Sequence, residues 1–258
     1  MNPYYKTNNC ALYQCDNLDL MKSLPENYID LIYCDILYNT GRKFKDYDDN
    51  LGTPQEAIVW YEPRLIAMHR ILKGTGCAYI HCDFRLVHYM KIKMDEIFDI
   101  NNFQNNIVWC YKSGGATKSR FNRKHDDILF YSKTDDFIFN PQLEKSYNRG
   151  LKPYRFKNVE EFQDDIGWHT MVGAKDWMEI DMVGRTSSER NGYNNQKPKK
   201  LLDIIIKASS DENDIVADFF MGSGTTGEVA LELGRKFIGC DIGVRACQIS
   251  KKRLEKLL

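Results

Sequence analysis

The feature that most constrains the fold is the stretch DIVADFFMGSGTTGEVALELGRKFIGCD, residues 214–241. Its apolar start is typical of a buried parallel strand, and the glycines that follow allow a sharp turn close to a ligand. Thr225 and Thr226 are predicted to cap the next helix, and a second strand ends at Asp241. The stretch therefore predicts a strand, a glycine turn, a helix and a second strand, as in α/β proteins.

The turn itself, GSGTTG, matches the dinucleotide-binding pattern G-x-G-x-x-G, with an acidic residue at the tip of the next strand. The pattern alone is a weak signal, because glycine-rich turns also join strands to helices in proteins that bind no nucleotide. The complete context of strand, turn, helix, strand and acid favours a nucleoside-containing ligand over a purely structural turn. It does not identify that ligand.

Length and composition limit the class of protein. The 258 residues suit one large α/β domain with an insertion or two small domains, and 43% hydrophobic with 28% charged residues is ordinary for a globular protein. The formal net charge is zero, so attraction to nucleic acid must be local, and no apolar run approaches the roughly 20 residues of a membrane span. The eight cysteines form no C-x-x-C pair, so no metal is predicted. Without a secretory leader, a cytoplasmic location is expected.

Apolar strands alternate with amphipathic helices along most of the chain. This alternation predicts an α/β fold with a doubly wound, mixed but mostly parallel sheet. Strands are predicted at 10–14, 28–34, 77–82, 106–111 and 127–131, and helices after Asp16 and at 54–72, 85–98 and 244–257, with a break at 74–76.

Several aspartates follow predicted strands. Ligands of doubly wound sheets lie beyond the carboxyl ends of the strands, so these acids are expected to share one cleft, with only some of them touching a ligand. A single acid in such a position is usually a helix cap or a solvated loop residue. The five aspartates concerned are Asp16, Asp35, Asp83, Asp218 and Asp241.

Residues from 112 to about 195 differ in character from the rest of the chain. KSGGATKSRFNRK (112–124) carries five basic residues and no acid, and YNRGLKPYRFK (147–157) mixes basic with aromatic side chains. This mixture suits phosphate contacts and base stacking, although a solvated loop is the plainer interpretation. The candidates for contacts with nucleic acid are Arg42, Lys112, Lys118, Arg120, Arg123, Arg149 and Arg155.

Three motifs and their order now carry a resemblance. DILYNTG (35–41) comes early, NNQKP (194–198) comes late, and DFFMGSGTT (218–226) follows it. This layout resembles the β-class DNA amino-methyltransferases, the N6-adenine/N4-cytosine family, in which the catalytic motif precedes the cofactor motif. The resemblance implies a Rossmann-like S-adenosylmethionine-dependent methyltransferase fold with an inserted lobe. It divides the chain into a catalytic part at 1–112, a target-recognition insert at 113–191 and a cofactor-binding part at 192–258.

The resemblance also implies a cofactor site for S-adenosyl-L-methionine. Asp218 would lie near the amino group of the cofactor, Asp241 would hydrogen-bond the ribose hydroxyls, and Lys197 with its neighbours would lie near the methionine carboxylate. The residues implied are Asp218, Phe219, Gly222, Ser223, Gly224, Thr225, Thr226, Asp241, Asn195, Gln196 and Lys197.

The implied catalytic residues are Asp35, Ile36 and Tyr38. An exocyclic amine is a poor nucleophile because its lone pair is delocalised into the ring. Hydrogen bonds to the Asp35 carboxylate and the Ile36 carbonyl would localise that pair and stabilise the developing charge, while Tyr38 would stack on a flipped base. Asp16 matches a family position near the active site. No Pro-Cys dipeptide occurs, which disfavours methylation of the cytosine ring.

The sequence departs from the family pattern in the catalytic loop. The usual motif is Asp-Pro-Pro-Tyr, and here Ile36 and Leu37 replace both prolines, which normally fix φ and hold the loop. Phe219 stands where the cofactor motif often has proline.

Three interpretations result. The first is a DNA amino-methyltransferase that acts on adenine N6, with cytosine N4 as the other target within it. The second is a catalytically impaired cofactor- or DNA-binding relative. A nicotinamide-dependent oxidoreductase rests only on GSGTTG and does not explain the motif at Asp35. The expected partner is double-stranded DNA rather than a membrane. A second copy of the chain and a cognate restriction enzyme are further candidate partners.

Overall fold

The computed structural model describes residues 1–45, 47–112 and 117–257. The predicted boundary at residue 113 and the glycine-rich part of the basic stretch, 113–116, lie outside the described residues. Within them, strands β1 to β14 are Tyr5–Lys6, Cys10–Gln14, Ile29–Asp35, Arg42–Lys43, Asp48–Asp49, Leu72–Cys82, Phe103–Cys110, His125–Ser132, Leu143–Tyr147, Phe162–Gln163, Trp168–Gly173, Trp177–Glu179, Ile215–Asp218 and Lys236–Asp241. Helices α1 to α6 are Asn17–Ser23, Pro54–Ile71, Val87–Phe98, Lys199–Ala208, Thr225–Glu232 and Val244–Leu254.

A central nine-stranded sheet has the order β1-β2-β14-β13-β3-β6-β8-β7-β12. Neighbours from β2 to β6 pair in parallel, as do β7 and β12, whereas β8 is antiparallel to both of its neighbours. The fold class predicted from the alternation of elements is therefore confirmed. Strand β13, which precedes the glycine turn, lies between β14 and β3, and β3 carries Asp35 at its end.

Strand β3 shows why the sheet is covered on both faces. Its residues from Ile29 to Cys34 are all buried, and successive side chains point to opposite faces. Ile32 and Cys34 belong to the apolar layer formed with helices α1, α2 and α3. Leu31 and Tyr33 belong to the layer formed with α4, α5 and α6. A largely apolar run is thus what a strand between two helical layers requires, and its one buried charge, Asp30, pairs with Lys73 at 2.7 Å.

The connection between α2 and β6 differs from the prediction. Residues 74–76 do not separate the helix from the strand, because β6 already begins at Leu72 and pairs there with Ile29. A Cβ atom on Gly76 would lie 2.8 Å from the carbonyl oxygen of Asp30. The glycine is therefore needed inside the strand, where the backbone of β3 passes closely, and does not mark its beginning.

The start of α5 also differs from the prediction. The N-cap residue is Gly224, with φ of 74°, and no side chain caps the helix. Thr225 and Thr226 lie in the first turn, and their hydroxyls bond to the Lys197 carbonyl and the Asp218 carboxylate instead. The prediction of threonine caps was wrong because these hydroxyls have partners across the site.

The range predicted as an insert, 113–191, contributes to two sheets. Strands β8 and β12 belong to the central sheet, whereas β9, β10 and β11 form a separate antiparallel sheet. The longest part of this range outside the central sheet is therefore the polypeptide between Ser132 and Trp177. None of the described helices has the length and apolar character that crossing a membrane requires.

Candidate active site

A cavity of about 660 Å³ lies at the carboxyl ends of the central parallel strands. All five strand-end aspartates line it, as the topology of the sheet predicts. It also brings together most of the residues that the sequence marks as candidates. These are Asp35, Ile36, Tyr38, Arg42, Asn195, Gln196, Lys197, Asp218, Phe219, Gly222, Ser223, Thr225, Thr226 and Asp241. Gly224 is not among the lining residues and lies against Ser250 behind the turn.

Two of the strand-end acids have structural partners. Asp16 accepts a hydrogen bond from the backbone of Leu18 at 2.8 Å as the N-cap of α1, and it pairs with Arg64 at 2.9 Å. Asp83 accepts a bond from the backbone of Arg85 at 2.9 Å and pairs with its guanidinium. Their contacts are those of helix-start and turn residues, as expected for some of the five.

The loop from Asp35 to Tyr38, predicted to be catalytic, is held by contacts rather than by proline rings. Ile36 is 4% exposed in the apolar core, and its backbone N–H donates to the carbonyl of His81 at 3.1 Å. The carbonyl of Leu37 accepts a hydrogen bond from the hydroxyl of Tyr61 at 2.8 Å. Both residues that replace the family's prolines are thus anchored by neighbouring elements.

Both oxygens of Asp35 accept hydrogen bonds from this chain. The Tyr38 hydroxyl donates to Oδ1 at 2.8 Å, and Lys197 Nζ donates to Oδ2 at 2.8 Å. Lys197 Nζ also lies 3.0 Å from the Tyr38 hydroxyl. Burial, with the charge of Asp35, raises the pKa of Tyr38, so this hydroxyl stays protonated and donates. A residue predicted for the cofactor therefore contacts the two residues predicted for the base.

Sequence reasoning missed a buried polar group beside Asp35, Tyr38 and Lys197. Asp126, near the start of β8, accepts from the hydroxyl of Tyr111 at 3.0 Å, and its second oxygen lies 3.3 Å from the Tyr38 hydroxyl that donates to Asp35. Burial raises its pKa, but the ring of His81 and the charge of Lys197 outweigh burial and bring the pKa below its usual value. Asp126 therefore stays ionised beside two tyrosine hydroxyls in the cavity wall.

His81, which is fully buried, connects this group to β3. One of its ring nitrogens, Nδ1, lies 2.7 Å from the hydroxyl of Tyr33, and the other, Nε2, lies 3.4 Å from Asp126 Oδ2. Burial, followed by the charge of Lys197, lowers the pKa of His81. The ring is thus neutral at ordinary pH, and it packs behind Asp35, Tyr38 and Lys197.

The glycine turn is organised around Asp218 and Asp241. Asp218 is 2% exposed and accepts from the Thr226 hydroxyl at 2.6 Å and the Phe220 N–H at 3.0 Å. Burial raises the pKa of Asp218 to about 7, and the charges of Asp35 and Asp241 act in the same direction. Asp241 accepts from the Gly222 N–H at 3.1 Å, which fixes the turn against β14.

The NNQKP segment is tied to its surroundings on several sides. Asn195 donates to the hydroxyl of Tyr47 at 2.9 Å, and the Gln196 amide donates to the carbonyl of Glu189 at 2.7 Å. The Lys197 carbonyl accepts from Thr225 at 3.2 Å, beside the first turn of α5. The segment therefore packs directly against the glycine-turn helix. Phe219 also lines the cavity, while its side chain is 1% exposed within the apolar core.

The cavity wall is predominantly acidic. Eight aspartates line it, against the three basic residues Arg42, Arg85 and Lys197. Since like charges in a poorly solvated cleft add to one potential, such a wall favours a cationic ligand.

The seven candidates for nucleic-acid contacts are all exposed. Arg42 lines the cavity, and Arg123 stacks its guanidinium 3.5 Å from the centre of the Phe84 ring, next to the cavity residue Asp83. Arg149 and Arg155 lie in the polypeptide between Ser132 and Trp177. Lys112, Lys118 and Arg120 flank or follow the part of the basic stretch that is not described.

A family model described as a DNA methylase, of the N6 and N4 methyltransferases, matches residues 29–252. The chain therefore belongs to this family, and both the resemblance and the S-adenosylmethionine-dependent DNA methyltransferase function predicted from the motifs are confirmed at that level.

Curated relatives and solved structures agree with this assignment. The chain is 31% identical over 247 residues to the type II methyltransferase M.HpaI of Haemophilus parainfluenzae, covering 93% of this chain and 73% of the relative. It is 30% identical over 249 residues to the DNA adenine methyltransferase YhdJ of Escherichia coli (strain K12), covering 93% of this chain and 81% of the relative.

Two solved structures share the fold. The cytosine-N4-specific PvuII DNA methyltransferase superposes with a TM-score of 0.68 at 20% identity, over 99% of this chain and 92% of that one. The M1.HpyAVI–SAM complex superposes with a TM-score of 0.62 at 22% identity, over 95% of this chain and 98% of that one.

Proposed function

We propose that this protein transfers the methyl group of S-adenosylmethionine to N6 of an adenine flipped out of double-stranded DNA. The observation that carries the proposal is the single cavity that joins the Asp35–Tyr38 loop to the glycine turn at Gly222. A methyl donor above the turn and an amine at Asp35 would then be neighbours, so that proximity supplies much of the rate.

The residues of the cavity fit a cationic nucleoside cofactor. When bound, S-adenosylmethionine supplies an electrophilic methyl group on a positively charged sulfur. The acidic wall suits that sulfonium charge, and the buried Asp218 is placed for an ammonium group. Gly222 and Ser223 provide a close backbone approach, and Asp241 lies at the tip of the next strand, the usual position of a ribose-binding acid. Asn195, Gln196 and Lys197 form the remaining side.

The catalytic roles follow from the position of the loop. Asp35 and the carbonyl of Ile36 accept hydrogen bonds from the target amine, localise its lone pair and stabilise positive charge as it forms on nitrogen. The methylated amine must lose a proton, and the Asp35 carboxylate lies beside it as the acceptor. Tyr38 stacks on the base, which is stabilised outside the duplex by that contact.

Adenine as the target base is supported by two observations. Position 35 carries aspartate rather than serine, which in this family favours adenine. The relative YhdJ, at 30% identity, is named a DNA adenine methyltransferase. Cytosine N4 is the alternative within the same chemistry.

The DNA interface is proposed from the exposed basic residues. Arg42 lines the cavity and Arg123 stacks on Phe84, next to the cavity residue Asp83, so both suit the phosphates near a flipped base. Arg149 and Arg155 lie in the proposed recognition lobe. We place that lobe in the predicted insert, 113–191, with its recognition surface in the polypeptide between Ser132 and Trp177. A second copy of the chain and a cognate restriction enzyme are further proposed partners, the latter supported by the type II name of M.HpaI. The proposed place of action is the cytoplasm.

The test combines the purified protein, labelled S-adenosylmethionine and unmodified duplex DNA, followed by analysis of the nucleosides. N6-methyladenine is the expected product, with Asp35→Ala as the inactive control. If the labelled product is N4-methylcytosine, the target base is cytosine and the proposal of adenine is wrong.

A second candidate function is a cofactor- and DNA-binding relative without turnover. The observation in its favour is the replacement of both prolines by Ile36 and Leu37. Cofactor binding without transfer of label to any base, over a broad set of duplex sequences, is the result that distinguishes it.

A further inference from the structure

The catalytic carboxylate is already occupied by donors of this chain. Each oxygen of Asp35 accepts one hydrogen bond at 2.8 Å, from the Tyr38 hydroxyl and from the Lys197 ammonium group. The hydroxyl is neutral and can remain beside a base. The ammonium group carries a full positive charge, and Lys197 is only 8% exposed, so water screens that charge weakly.

A paired lysine opposes the proposed chemistry. Attack of the amine on the methyl group places positive charge on the nitrogen that Asp35 is meant to stabilise. An ammonium group bonded to the same carboxylate neutralises it and repels that charge. For methyl transfer to proceed efficiently, Lys197 has to exchange Asp35 for another anion.

The backbone of Lys197 shows where that anion would come from. Its carbonyl accepts a hydrogen bond from Thr225 at 3.2 Å, in the first turn of the glycine-turn helix, while its side chain reaches Asp35. The other two basic residues of the cavity differ, since Arg42 is exposed and Arg85 pairs with Asp83. Lys197 is thus the buried cation of the cavity lining that a carboxylate-bearing ligand at the turn would meet. Arg253 also bonds to the turn, through the carbonyl of Ser223, but it pairs with Glu228 and does not line the cavity.

We propose that Lys197 is a positioning residue that stays paired with Asp35 until the carboxylate of the bound cofactor draws its ammonium group away. Loading of the cofactor thereby frees Oδ2 of Asp35 for the target amine, which orders the two binding events. This inference rests on the proposed function and adds a coupling between binding of the cofactor and binding of the target base.

The test compares two neutral-sulfur ligands by calorimetry, without DNA. S-adenosylhomocysteine carries both the ammonium and the carboxylate group, whereas S-adenosyl-3-thiopropylamine keeps the ammonium group and lacks the carboxylate. In Lys197→Met, S-adenosylhomocysteine is expected to bind about tenfold or more weakly, and the thiopropylamine within about twofold of the parent chain. In Asp35→Asn, which releases Lys197, the preference for S-adenosylhomocysteine over the thiopropylamine is expected to rise about threefold or more.

Lys199→Met is the matched control, because the Lys199 ammonium pairs with Glu228 and Glu232 and lies outside the cavity. Both ligands are expected to bind this variant as they bind the parent chain. A structure of the S-adenosylhomocysteine complex is expected to show Lys197 Nζ separated from Asp35 Oδ2, with the 2.8 Å contact retained in the thiopropylamine complex.

Two results would overturn the inference while leaving the proposed function intact. One is an equal loss of affinity for both ligands in Lys197→Met, which indicates a structural role. The other is an unchanged ligand preference in Asp35→Asn. Failure of the parent chain to bind S-adenosylhomocysteine at all would instead contradict the proposed function itself.

Discussion

The glycine turn and the Asp35–Tyr38 loop follow adjacent parallel strands, β13 and β3, yet they are fixed in different ways. The turn keeps the glycines of its family pattern, and both Gly222 and Gly224 adopt a positive φ. The side chains that bond to its backbone, Asp241, Ser250 and Arg253, come mainly from the strand and helix that follow it in the chain. The loop has lost both prolines and depends on side chains from distant elements. A local motif can therefore be read from sequence, whereas a loop held from outside cannot.

Removing the Asp35 carboxylate is the most severe test of this contrast. Asp35→Ala is expected to lower kcat by about a thousandfold or more, because the main acceptor of the developing charge is lost. S-adenosylhomocysteine is expected to bind at least as tightly as before, since the glycine turn is untouched and Lys197 is released. Transfer of label to DNA and calorimetry measure the two effects. An active variant would show that Asp35 is not the catalytic acid.

The rigidity of the turn is tested at Gly224. A Cβ there would lie 2.7 Å from Ser250 Oγ, and φ is +74°, so Gly224→Ala combines a clash with backbone strain. The free energy of unfolding is expected to fall by about 2–4 kcal/mol, with weaker cofactor binding. Gly150→Ala is the control, because φ is +75° but nothing lies within 4 Å of the added atom. It should lose only about 1–2 kcal/mol, and equal losses in the two variants would contradict the packing argument.

The buried acid of the turn gives a dependence on pH. Burial raises the pKa of Asp218 from 3.8 to about 7, so the folded chain binds this proton more tightly than the unfolded chain. The contribution of Asp218 to stability is therefore greatest at low pH and is lost as pH rises through about 7. A cofactor ammonium needs the ionised form, so affinity should fall by up to about tenfold per pH unit below 7.

Calorimetry with S-adenosylhomocysteine at pH 6, 7 and 8 measures this dependence. In Asp218→Asn the group no longer titrates, so weaker binding with a flatter pH profile is expected. If the affinity of the parent chain for S-adenosylhomocysteine does not change with pH, the ammonium group of the ligand does not bind at Asp218.

The smallest effects concern the missing prolines. Leu37→Pro keeps the carbonyl that accepts from Tyr61, so the rate is expected to stay within about threefold of the parent chain or to rise. Ile36→Pro removes the N–H that donates to His81 and a buried side chain, so it should be the more damaging change. Steady-state kcat and thermal unfolding of both variants measure the difference. The reverse ranking would show that the loop is not held as described.

The contrast between the glycine turn and the Asp35–Tyr38 loop also explains how much of the fold and of the site the sequence predicted. The apolar periodicity of β3 and the glycine pattern after β13 predicted the sheet and its ligand edge, because both depend on neighbouring residues. Asp126 was missed because β8 runs antiparallel, so the beginning of the strand, not its end, reaches the cavity edge. Strand direction depends on pairing with β6, which a local pattern does not contain. Lys197 was predicted for the cofactor alone, since its bond to Asp35 spans 162 residues.

The two central-sheet strands within the predicted insert have a consequence for how such proteins change. The polypeptide leaves the sheet after Ser132 and re-enters it at Trp177, where the carbonyl of Asp176 accepts from Val108 at 2.7 Å. The proposed recognition surface is thus inserted between two strands of the same central sheet. Replacement of the polypeptide between Ser132 and Trp177 by recombination would alter the DNA sequence recognised and leave the residues that line the cavity in place.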